Sequence, residues 1–60
     1  MQKYETLKQL VAGMEADVTK FYGGNNAAGT RVRKHLQDVK KACQDMRDEV
    51  QEIRASRKEA

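Results

Sequence analysis

The residues of this chain that could do chemistry are cations gathered around a break in a helical pattern. From Gly23 to His35 the sequence reads Gly-Gly-Asn-Asn-Ala-Ala-Gly-Thr-Arg-Val-Arg-Lys-His. Paired glycines and asparagines are turn chemistry, because glycine accepts positive φ at a helix C-terminus and an asparagine oxygen can cap the next helix. Arg31, Arg33 and Lys34 follow at once, with Lys40 and Lys41 further on and only Asp38 opposing them. The first turn of a helix ordinarily prefers acids, so cations there are locally unfavourable. A phosphate docked at that end reverses the penalty. Arg31, Arg33 and Lys34 are then the expected primary ligands and Lys40 and Lys41 a second tier. The turn amides of Ala27, Ala28, Gly29 and Thr30 form an additional anion site. This is ionic recognition and needs no bond making.

Other reactive groups are scarce. Cys43 is the sole cysteine, so there is no intrachain disulfide, and with His35 it falls short of the three or four ligands of a zinc site. Cys43 falls on an apolar stripe and reads as a small buried hydrophobe rather than a nucleophile. For His35 a phosphate contact, a solvated ring and an interface hydrogen bond all remain open. Gly24 and Gly29-Thr30 resemble a phosphate-binding P-loop, yet the lysine after the second glycine is missing and no strand pattern precedes it. Tyr4, Phe21 and Tyr22 are too few and too seam-bound for a base-stacking platform, although the Tyr22 hydroxyl lies within reach of a phosphate at the turn. No catalysis, no cofactor, no metal and no small-molecule substrate are expected.

The elements that must position these cations are two helices. Apolar residues recur at Tyr4, Leu7, Leu10, Val11, Met14, Val18 and Phe21, then at Val32, Leu36, Val39, Cys43, Met46, Val50 and Ile53, in steps of three and four between all but Leu10. There is no proline to interrupt either run. The spacing predicts one domain over 1–60, with helix one at about 2–22, a turn at 23–26 and helix two at about 27–57. Asn25 or Asn26 is the expected cap, with Thr30 a rival. The fold class is all-α, an antiparallel helical hairpin. Helix two should run on the order of 48 Å against roughly 30 Å for helix one, so Val50 and Ile53 overhang without an intrachain partner. A second copy packed antiparallel would cover them and complete a dimeric four-helix bundle or coiled coil, with a tetramer as the alternative. Leu36, Val39, Met46, Val50 and Ile53 are the expected oligomer contacts, and Leu10 and Ala42 widen the stripe.

Size and charge agree with this reading. Sixty residues with 35% charged content leave little core, so a partner subunit is the expected source of stability. The net charge of +3 is unevenly spread. Residues 1–22 balance, 31–41 carry +4, 42–53 carry −3 and the tail is again basic. Arg33, Lys40, Arg47 and Arg54, seven residues apart, form a basic ridge; for Arg47 and Arg54, contact with a ligand and pairing with the nearby acids are both open. No apolar run approaches the roughly 20 residues of a membrane span, and no secretory block opens the chain, so a cytoplasmic protein is expected.

The residues Lys3-Tyr4, Phe21-Tyr22, Gly24-Asn25, Ala27-Ala28-Gly29-Thr30-Arg31-Val32-Arg33-Lys34, Arg47 and Val50-Gln51-Glu52-Ile53 also resemble a known family. These are the bacterial linker-histone-like nucleoproteins of the chlamydial type. Their short members carry Gly-Asn-Lys-Ala-Ala-Gly-Thr-Arg-Val-Arg-Lys between two helices. Asn26 stands where that pattern has lysine, and no Lys/Ala/Pro-rich tail follows, so the resemblance is to a short, tail-less member and compaction by a tail is not expected. It implies a histone-like, nucleoid-associated protein that binds DNA.

Residues and resemblance together point to phosphate-mediated binding of double-stranded DNA with little sequence preference, bridging or bending it through separated basic patches. RNA uses the same patch and is not excluded. The alternative from another class is a helical oligomerisation scaffold that never touches nucleic acid, which the modest net charge and the acidic block at 45–52 would favour.

Overall fold

The computed structural model describes residues 2–57 and shows an all-α hairpin. Helix α1 spans Gln2–Gly13, α2 spans Glu15–Tyr22 and α3 spans Asn26–Arg57. The first arm is therefore two helices where the periodicity predicts one. Gly13 is the weakest helix former in the arm and sits in open space, with nothing within 4 Å of where a Cβ would be. The break follows directly. Met14 (φ −97°, ψ −2°) donates its amide to the Val11 carbonyl at 3.2 Å, one tight turn, and the Val18 amide then takes the Met14 carbonyl at 2.9 Å. Met14 is itself buried, so the break is anchored on the core side.

The turn uses the glycine-asparagine chemistry in a definite division of labour. The Gly24 amide donates to Phe21 O (2.9 Å) and the Asn25 amide to Lys20 O (3.0 Å), the paired bonds of a Schellman end. Only Gly24 takes positive φ, at 106°. Asn25 then accepts from the Ala28 amide through Oδ1 at 3.1 Å and so caps α3. One residue closes one helix and opens the next. Thr30 lies inside α3 and caps nothing.

Which face of α3 turns inward departs from the predicted stripe. Ala28 and Ala42 are buried, and Val32, His35, Val39, Met46, Glu49 and Ile53 are half-buried, a four-three alternation of its own. Leu36 and Val50 are 49% and 41% exposed, and Cys43 is exposed too, which corrects its reading as a buried hydrophobe. Val32, Val39, Met46 and Ile53 belong to both patterns. The alternate rungs decide, and here small residues win over large ones. Alanine at 28 and 42 lets the arms approach closely, and at Gly29 a Cβ would stand 2.6 Å from Phe21 Cδ1. Phe21 thus lies against Gly29, while Gln2, Lys3 and Thr6 border Ala42 and Asp45. From about Met46 onward α3 runs past the described first arm, and the molecule is a rod of 50 × 15 × 15 Å.

Two substitutions test this local account in opposite directions. Asn25→Ala should cost about 1 kcal/mol by removing the cap, and Gly13→Ala should gain roughly 0.5–1 kcal/mol by mending the first arm. Urea melts followed by circular dichroism read both.

Candidate nucleic-acid interface

The cations of α3 fall into distinct environments once the inward face is fixed. Arg31 reaches across to the first arm, where its Nε donates to Asp17 Oδ1 at 3.0 Å. The Asp17 side chain is only 17% exposed. This pair ties α2 to α3 and neutralises the charge expected to be a primary phosphate ligand. Lys41 lies 3.7 Å from Asp45 one turn on, with 81% of its side chain exposed, a contact too solvated to hold it firmly. Arg33, Lys34, Lys40 and Arg47 are exposed and form no ion pair among the described residues. Arg33, Lys40 and Arg47 recur at intervals of seven and therefore lie along one line of the helix, about 21 Å long.

Acids are sorted just as strictly. Asp38, Asp45 and Glu52 share the interval of seven with Arg31, on the opposite flank of the seam from the basic line. Glu49 sits on the seam, and Asp48 accepts from Gln44 Nε2 at 2.9 Å. The acidic block at 45–52 is therefore not one patch, and most of it faces away from Arg33, Lys40 and Arg47. The sequence carried this signal in the spacing 38, 45, 52; net charge over a window blurs it.

The remaining expected site residues divide in the same way. Ala28 is wholly buried, and its amide and that of Gly29 are taken by the side chain and carbonyl of Asn25. An anion at these amides would have to displace the cap. His35 lies half-buried on the seam, its Nδ1 buried and without a hydrogen-bond partner, which turns it away from any phosphate on the basic line. Val39 also lies on the seam, so Leu36 and Val50 are the expected oligomer contacts that the hairpin leaves most open. At the tip, Phe21, Asn26, Gly29, Thr30, Val32 and Arg33 line a shallow groove. Tyr22 stands beside it, 83% exposed, its ring edge-on to Phe21 at 5.4 Å. No helix is long and apolar enough to cross a membrane, and no cluster of three metal-ligating side chains occurs among the described residues.

A family model described as Histone H1-like protein Hc1 matches residues 1–56. The chain belongs to this histone H1-like family. No curated protein matches it. No solved structure does so either. Membership in the Hc1 family makes this a histone-like, DNA-binding nucleoid protein and not an enzyme. The exposed cations of α3 are thus read in a chain whose family binds DNA.

The role given to Arg31 is open to a double-mutant cycle. Asp17→Asn and Arg31→Gln should each lower hairpin stability by about 0.5–1 kcal/mol, and the double variant should lose no more than either alone. Additive losses in urea melts would show that the two side chains act independently.

Proposed function

We propose that the chain binds double-stranded DNA through backbone phosphates, with little sequence preference, along the line Arg33, Lys40 and Arg47, with Lys34, one turn before Asp38, as a peripheral contact. The observation that carries this is the segregation of Arg33, Lys40 and Arg47, which form no ion pair among the described residues, from the acids of α3. Exposed lysine and arginine side chains with no ion pair to fix them follow the phosphates, and phosphate contacts set the position of a protein on the duplex without carrying sequence information. Lys41 contributes from the second tier, since its exposed contact with Asp45 yields readily to a polyanion. Arg31 acts mainly by holding the tip in place.

We further propose that the DNA-binding unit is a homodimer. The chain exposes 5129 Å², where a packed monomer of this mass exposes about 4,000 Å². Tyr4 and Val11 of the first arm are large exposed hydrophobes, as are Leu36 and Val50 of α3. In an antiparallel pair these four positions flank the same side of the seam and make one apolar face with Cys43. A second copy on this face completes a four-helix bundle and carries two basic lines, so one particle can bridge or bend duplexes. RNA presents the same phosphates, but the deep, narrow major groove and wide, shallow minor groove of its A-form helix change their spacing, and family membership favours DNA.

With three to four phosphates neutralised per chain, log K should fall by roughly 3 per decade of salt. The variant Arg33→Gln/Lys40→Gln/Arg47→Gln should lose most of that slope in duplex titrations, with helix content unchanged. An unaltered slope would remove these residues from the interface. Sedimentation tests the other half: Leu36→Glu/Val50→Glu should yield monomers, and a pair of variants that stays dimeric would place the self-contact elsewhere.

A further inference from the structure

Tyr22 is the last residue of α2 and the most open of the large hydrophobic side chains at the hairpin tip. An aromatic ring held out in water forgoes burial that it could gain against a partner. The Tyr22 ring rests against Phe21. Its edge-on contact with Phe21 has an interplanar angle of 61°, and Phe21 lies over the bare Cα of Gly29, where any side chain would collide with the Phe21 ring. Gly23 and Gly24 follow Tyr22 and have no side chains to keep another surface at a distance. Phe21 shares its groove with Arg33, one of the unpaired cations. The tip therefore combines an exposed ring, an unobstructed approach and, in Arg33, an exposed cation.

We propose that Tyr22 is a non-electrostatic contact to duplex DNA, its ring set against sugar and base edges in a groove while Arg33 and its neighbours hold the flanking phosphates. This rests on the DNA-binding reading above and adds to it a term that salt does not screen. Aromatic and apolar side chains that enter a groove in this way gain most at flexible pyrimidine–purine steps, which open at low cost. The tip would therefore favour deformable sequence without reading bases. The ring acts alone, not as one of several stacking platforms for a single strand.

The test is a set of duplex titrations across several salt concentrations, with binding followed by the anisotropy of a labelled random-sequence duplex. Tyr22→Ser should run parallel to wild type in log K against log salt but roughly tenfold weaker throughout. Tyr22→Phe, which keeps the ring, should stay close to wild type. The chain has no tryptophan, so Tyr22→Trp supplies a single reporter whose emission should be quenched as the duplex saturates. Duplex binding with coincident Tyr22→Ser and wild-type lines and unchanged Tyr22→Trp emission would overturn the assignment and leave the phosphate reading intact. A shift in the sedimentation of DNA-free Tyr22→Ser would assign the tip to self-association and overturn it too. Absence of any duplex binding by wild type at low salt would remove the DNA reading itself.

Discussion

The close approach of the two arms along Ala28, Gly29 and Ala42 is the constraint on which the rest of this structure depends. Ala28 has no exposed surface, and the Phe21 ring occupies the space where a side chain at Gly29 would be. Only a small-residue line permits that separation, and choosing it fixes the rotation of α3 about its own axis. Every other property of the helix surface is set by this rotation. Leu36, Cys43 and Val50 come to face outward, Arg31 comes within reach of Asp17, and Arg33, Lys40 and Arg47 are carried to the solvent side.

That rotation also reconciles a small net charge with a role at a polyanion. The hairpin places the acids Asp38, Asp45 and Glu52 on the flank that carries Arg31, and Arg33, Lys40 and Arg47 on the other. A phosphate on the basic line meets positive potential, with the acids separated from it by the width of the helix and by solvent that screens them. Function here is a matter of arrangement more than of composition. The molecule buys this with a thin core, because among the described residues only Met14, Ala28 and Ala42 are buried hydrophobics. A hairpin this open gains stability from whatever covers its second apolar face.

The two arms and the turn were legible in the sequence, since a period of three and four with a Gly-Gly-Asn break admits few other arrangements. Histone-like character was legible in the string from Ala27 to Lys34. The choice of seam was not. Positions 32, 36, 39 and 43 and positions 28, 32, 35 and 39 are both valid heptad rows, and hydrophobicity favours the first because Leu36 outranks His35. Close packing favours the second, and it depends on how Phe21 meets Gly29 across the turn. The Arg31–Asp17 pair was hidden for the same reason, because a contact between residues on different arms appears only after the register is known. Gly13 offered a visible hint of the break in the first arm, though a single glycine in a helical run is often tolerated.

Nuclear magnetic resonance of the isotope-labelled chain during titration with a random-sequence duplex is the most direct test of the central claim, that the basic line of α3 is the DNA-binding surface. The account predicts that side-chain resonances of Arg33, Lys40 and Arg47 shift together and return as salt is raised. Asp38, Asp45 and Glu52 should stay in place. Shifts concentrated on the acidic flank, or an unperturbed basic line in the presence of bound duplex, would contradict it.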